Sequence, residues 1–170
     1  MFVIRDLMWK LGNLPKFPLP DSDPLRTEDG FYEAILVDVY YVPLMASILL
    51  LFDLRTSLMF DDSCNTAILI CEQVVKLNIS ETIDNKIWNV GTSKLHSYKQ
   101  SVQIDLTDLL VDRRINIDTG KVYYFEGVVE GIGGCSDAIE WDNLAPYLNT
   151  TPSLNSGIKI SSMSSLFVEG

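Results

Sequence analysis

Three apolar runs follow one another between Phe31 and Ile79, separated by turn signals, and their spacing constrains the fold more than any other feature of the chain. In the second run Ile48, Leu50, Phe52, Leu54, Leu58 and Phe60 fall on even positions, while Ser47, Asp53, Arg55, Ser57 and Asp61 fall on odd ones. A period of two is the signature of a strand with one buried face. The turn Asp61-Asp62-Ser63 follows, and Ala67, Leu69, Cys71, Val75, Leu77 and Ile79 then line the odd face of a third run, which predicts a long hairpin. The first run, Phe31 to Val42, is apolar on both faces, so it is expected to be covered on both sides and to lie centrally in the sheet.

The flanks carry weaker signals. Ile4, Leu7, Met8 and Leu11 repeat at helical spacing ahead of Gly12, which predicts a short amphipathic helix over Phe2 to Leu11. Pro15, Pro18, Pro20 and Pro24 exclude regular structure over the next stretch and predict an extended wrapping segment pinned by Leu14, Phe17, Leu19 and Leu25. Residues 80–99 are polar, with only Ile87, Trp88 and Val90 suggesting a strand, and Val102, Ile104 and Leu106 then alternate with polar neighbours. Ile115 and Ile117 precede Asp118-Thr119-Gly120, which predicts a second hairpin returning through residues 121–130. Ser136 and Asp137 suit the start of a second short helix that turns Trp141 and Leu144 inward before Pro146. The Ser-rich end is expected to form an edge strand near residues 158–161 or a tail. The fold class is therefore α+β, mostly antiparallel β, a sandwich or half-open barrel with short N-terminal and C-terminal helices. One domain is expected over residues 1–170: a helix and wrapping segment over 1–30, a β-rich core over 31–148, and a terminal strand or tail over 149–170.

Charge narrows the function. The net charge is −10, with −7 carried by residues 21–62 and −4 by residues 121–170. Such a surface repels a phosphate backbone, which excludes nucleic acid as the expected partner, and it attracts a basic protein. Asp6 interrupts the opening residues, no apolar run reaches the length of a membrane span, and Cys64, Cys71 and Cys135 show no paired spacing. A soluble cytoplasmic protein without membrane contact is expected.

Chemistry is less legible. His96 stands alone in a polar stretch and no nucleophile-elbow pattern accompanies it. One His and three scattered Cys do not supply a zinc set, and Asp61-Asp62-Ser63-Cys64-Asn65 offers only a fragment of a calcium loop. Gly131-Ile132-Gly133-Gly134 lacks the lysine and hydroxyl of a phosphate loop and reads as a turn. Glu126 and Glu130 share a strand face, but about 13 Å of strand rise separates them, too far for glycoside hydrolysis. Asp53 and Arg55 share a face and can pair. No catalytic residue, metal or cofactor is expected.

Acids recur beside aromatics instead: Asp29 near Phe31 and Tyr32, Glu126 near Tyr123, Tyr124 and Phe125, and Glu140 with Asp142 around Trp141. Aromatics anchor interfaces while acids steer a basic partner toward them. A small, acidic, strand-rich chain of this kind resembles the immunity proteins of bacterial toxin systems, including contact-dependent growth inhibition. The resemblance implies a protein that binds a basic toxin domain, often a nuclease, and covers its active site. The residues expected to meet such a partner are Asp21, Asp23, Glu28, Asp29, Asp61, Asp62, Glu126, Glu130, Asp137, Glu140, Trp141 and Asp142. Two other readings stand beside it: a structural or assembly subunit that forms an oligomer, and a small-molecule-binding β domain. The oligomeric state is not legible.

Overall fold

The computed structural model describes residues 1–57, 63–80, 90–106, 113–134 and 150–167. Among these residues ten strands form two antiparallel sheets. Strands β1 (Phe2–Val3), β2 (Ile35–Val42), β3 (Ser47–Asp53), β4 (Thr66–Glu72), β9 (Lys121–Val129) and β10 (Gly157–Leu166) make a six-stranded sheet in the order β1-β10-β9-β4-β3-β2. Strands β5 (Lys76–Ser80), β6 (Val90–His96), β7 (Ser101–Leu106) and β8 (Arg113–Asp118) make a four-stranded sheet in the order β5-β8-β7-β6. The architecture is the predicted α+β, mostly antiparallel class, with a curled six-stranded sheet packed on a second one.

The middle of the large sheet is buried on both faces. In β3, Ile48, Leu50 and Phe52 enter the core between the sheets, while Leu49 and Leu51 enter a second core on the opposite face. β4 divides in the same way, Ala67, Leu69 and Cys71 against Ile68 and Ile70. Each such side chain contributes about 1.5–3 kcal/mol by leaving water, so these strands dominate the stability. The even-face alternation is real, but it overlooks Leu49 and Leu51, and β3 ends at Asp53, short of the apolar run. Leu58 and Phe60 lie outside the described residues.

The second core is covered by the N-terminal helical turns, where α1 (Leu7–Lys10) is flanked by 3-10 turns at Ile4–Asp6 and Leu11–Asn13. Ile4, Leu7 and Met8 are buried there, as their spacing predicts. Leu14 and Phe17 pin the extended segment that follows, and Met163 N donates to Pro18 O at 3.0 Å, laying the segment along β10. Leu25 is buried in the core between the sheets, whereas Leu19 is 72% exposed and pins nothing.

Four expectations are corrected by the pairing. β2 is the outer strand of its sheet, not a central one. Its two apolar faces are covered by the two cores, Leu36 and Val39 on one side and Val37 and Tyr40 on the other, and an irregularity between Leu36 and Asp38 switches the parity. Covered faces say nothing about unpaired edges. The run from Ala67 to Ile79 is two strands, because the chain turns at Gln73, with φ 58°, and crosses to the other sheet. Arg113–Asp118 and Lys121–Val129 are likewise not a hairpin: β8 pairs with β5 and β7, and β9 with β4 and β10. Finally, β10 is no edge strand near Ile158 but a ten-residue strand between β1 and β9. The helix expected from Ser136 onward lies outside the described residues.

Residues 29–34 close the side where β2 and β6 are the outer strands of the two sheets. Asp29 N donates to Ser93 O at 2.9 Å, Ser93 N donates to Asp29 Oδ1 at 3.0 Å, and Glu33 and Val90 exchange contacts through Glu33 N to Val90 O and Val90 N to Ala34 O. Phe31 enters from this segment and stacks on Phe52, ring centroids 4.5 Å apart.

Two outcomes follow from this packing. A Cβ on Gly127, in β9, would lie 2.9 Å from Ile160 Cα and 3.0 Å from the Lys159 carbonyl carbon, so Gly127→Ala should lower the free energy of unfolding in urea by about 1–3 kcal/mol. Burial pushes the Cys71 thiol up to about 12. The folded state keeps that proton after the unfolded chain has released it, so the contribution is whole below the ordinary thiol range and is lost as pH climbs from there toward 12. Stability should therefore fall above about pH 9, by at most about 1.4 kcal/mol per unit from this group. Urea titrations across that range should show a flatter decline for Cys71→Val.

Candidate functional site

Of the acids expected to meet a partner, Asp61, Asp62, Asp137, Glu140 and Asp142, with Trp141, lie outside the described residues. The other six are spread over the wrapping segment and β9 with the turn after it, and the structure treats them unequally.

Asp23 is committed to the fold. Its Oδ1 accepts from Leu25 N at 3.0 Å and from Ser164 Oγ at 2.8 Å, its Oδ2 pairs with the Arg26 guanidinium, and its carbonyl accepts from Arg26 N and Thr27 N. An acid followed by Pro24 sets up this turn, because the carboxylate can accept from amides two and three residues on. Glu126 is equally engaged, accepting from Tyr124 Oη and Ser162 Oγ, both at 2.6 Å. Tyr124 is fully buried, and its phenol is pushed well up by burial first and by the Glu126 charge second. Asp23 and Glu126, far apart in sequence, are thus brought to neighbouring positions on β10 through Ser164 and Ser162. Asp29 accepts from Ser93 N and ties the segment to β6.

Glu28 reaches across an open groove of about 310 Å³ to pair with Lys94. The Lys94 ammonium, first by its hydrogen bond and then by its charge, holds the Glu28 carboxyl below the usual range, and the same contact raises Lys94. Leu25, Arg26, Thr27, Leu95 and His96 complete the walls. The Lys94 and Glu28 side chains are 44% and 63% exposed, so water and salt screen the pair. His96 ends β6, a strand that the polar composition of residues 80–99 concealed.

Asp21 and Glu130 are the two predicted acids exposed with no partner among the described residues. Glu130 opens the turn after β9, and that turn is held from beneath by two buried side chains. Asn65 Nδ2 donates to Val129 O at 3.0 Å and to Gly133 O at 2.8 Å, and Asn65 Oδ1 accepts from Val129 N at 2.9 Å. Arg55 donates through Nη1 to Ile132 O and, at 3.1 Å, to Thr150 Oγ1. Asp53 holds Arg55 in place, with Nε 2.9 Å from Oδ1 and Nη2 2.6 Å from Oδ2. Asp53 and Arg55 are 1% and 3% exposed, so the pair that sequence spacing suggested is a buried clamp. Asn65 was legible only as the end of a fragmentary calcium-loop pattern, and Arg55 only as a neighbour of Asp53.

Among the described residues no three His, Cys, Asp or Glu side chains gather as metal ligands. Comparison with protein-family models, with curated proteins and with solved structures found no match.

Removing Asp53 takes from the buried Arg55 guanidinium the carboxylate that meets it through both Nε and Nη2. Asp53→Ala should cost about 3–5 kcal/mol in unfolding free energy, the range for breaking one side of a buried pair. Amide exchange in residues 130–134 should accelerate more than exchange in β7, which the clamp does not touch.

Proposed function

We propose that this protein is an acidic inhibitor of the immunity-protein type, which binds a basic toxin domain in the cytoplasm, blocks its active site and performs no chemistry of its own. The observation that carries this reading is the way the acidic segments are fixed. Residues 21–29 are tied to β6 and β10 through Asp23, Asp29, Ser93 and Ser164, and the Glu130 turn is tied to the core through Arg55 and Asn65. Ordering a binding surface before association removes an entropic cost from the binding step, and a negative potential raises the encounter rate with a basic partner. A nuclease domain, whose active site accommodates phosphates, is the partner whose charge fits best. Among the described residues no helix is long and apolar enough to cross a membrane.

A second reading, the assembly subunit, is favoured by one patch. Leu44 and Val75 are 94% and 84% exposed, and Val74 N donates to Ala46 O, which brings the β2–β3 turn beside Val75. Tyr41, also exposed, lies on the outer strand β2 next to them.

The two readings separate in a low-salt capture from the native cell with the tagged full chain, eluted by a salt gradient. The inhibitor reading expects a basic protein near one-to-one, released by salt, and recovered at least about tenfold less when Asp21, Glu28 and Glu130 are changed together to their amides. Recovery of this chain alone, as an oligomer that ignores salt and dissociates in Leu44→Lys, would favour assembly instead.

A further inference from the structure

Within the inhibitor reading, on which this step rests, we propose that the cleft beside Glu130 receives an arginine side chain of the basic partner. The cleft measures about 240 Å³ and is lined by Asn65, Val128, Val129, Glu130, Gly131, Gly133 and Gly134. Four features converge on it. Asp23, Glu28, Asp29 and Glu126 accept hydrogen bonds or ion pairs from within the chain, and Asp21 lines neither this cleft nor the β6 groove. Of the six predicted acids among the described residues, Glu28 and Glu130 each line a concave surface, and Glu28 is already paired with Lys94, which leaves Glu130 to meet a foreign cation.

The floor is rigid. Asn65 and Arg55 engage the carbonyls of Val129, Ile132 and Gly133 from below, so the wall that a ligand meets is set before it arrives. A buried arginine and a buried asparagine spent on one surface turn are unusual for a turn that only connects two segments.

The wall is bare. Gly131 and Gly133 have φ 85° and 88°, which accounts for glycine there, but Gly134 has no such requirement, and a Cβ on it would meet nothing within 4 Å. Among the described residues packing does not demand a glycine at 134, and the missing side chain leaves the wall open to close approach of a foreign group.

The chemistry selects a long cation. Val128, half-buried near the end of β9 and two residues before Glu130, offers apolar surface to an aliphatic stem while Glu130 meets the charged head, the arrangement that amphipathic side chains seek. A guanidinium can bond a carboxylate through two parallel N–H groups, which an ammonium cannot, so arginine is favoured over lysine.

The test uses the full-length ¹⁵N-labelled protein and Nα-acetyl-arginine amide as the probe, following the amides of Gly131, Gly133 and Gly134 by NMR. Saturable shifts in these glycines are expected, with the lysine and glutamine analogues weaker in that order. Glu130→Gln should weaken binding at least about tenfold, and Gly134→Leu, at an exposed position with room for a side chain, should fill the cleft and abolish the shifts. Asp21→Asn should leave them unchanged. Absence of saturable shifts, equal shifts in Glu130→Gln, or tighter binding of the lysine analogue would overturn the assignment. The two levels fail separately: arginine binding with no basic partner in the cell removes the inhibitor and keeps the cleft. A basic partner held equally well by the wild type and Glu130→Gln keeps the inhibitor and removes the cleft.

Discussion

The corner at Gln73 and Thr119-Gly120 is where the two sheets are joined. β4 and β9 pair in the six-stranded sheet, β5 and β8 pair in the other, and both connections turn at the same place. Gly120 N donates to Glu72 O at 3.1 Å, Val75 N to Asp118 O at 2.9 Å and Thr119 N to Gln100 O at 2.9 Å. A single two-stranded ribbon therefore bends from one sheet into the next without losing its partner. The bend folds the odd face of β4 and the inner faces of β7 and β8 toward each other, and the core between the sheets forms in the angle. Glycine at 120 leaves room for the Gln73 side chain on the opposing turn, which a Cβ there would push aside.

Once the sheets are so placed, the acidic segments acquire their positions. The wrapping segment crosses from β10 to β6 because Phe31 and Leu25 plug the angle between the sheets, and the hydrogen bonds of Asp23 and Asp29 follow from that path. The charge distribution is consequently less free than the net charge suggests. Several carboxylates hold the fold together, and Glu130, left to face solvent, sits on a turn held by the buried Arg55 and Asn65. This is the arrangement expected of a surface built for recognition, since stiffness reduces the cost of association and charge governs its rate.

Much of the local structure was legible. The stripe of Ile4, Leu7 and Met8, the alternation of Ile48, Leu50 and Phe52, and that of Val102 and Ile104 each read correctly because burial of one face imposes a period that composition cannot hide. Pairing was less legible. Thr119-Gly120 has the composition of a hairpin turn, and only the bend between sheets shows that its flanking strands go to different partners. The Ser-rich stretch from Gly157 looked like a weak edge, but Ser162 and Ser164 are buried because Glu126 and Asp23 supply acceptors, a compensation invisible in composition.

By itself the sequence determined the class of structure, the one-faced burial of its alternating strands and the excess of negative charge, since these depend on side-chain type and spacing along one chain. Tertiary structure decided which strands pair, which acids are consumed internally, and that Arg55 and Asn65 lie beneath the turn carrying Glu130. The reason is physical: strand periodicity records the environment of each face, whereas edge pairing and long-range hydrogen bonds depend on groups that meet only when distant segments are brought together.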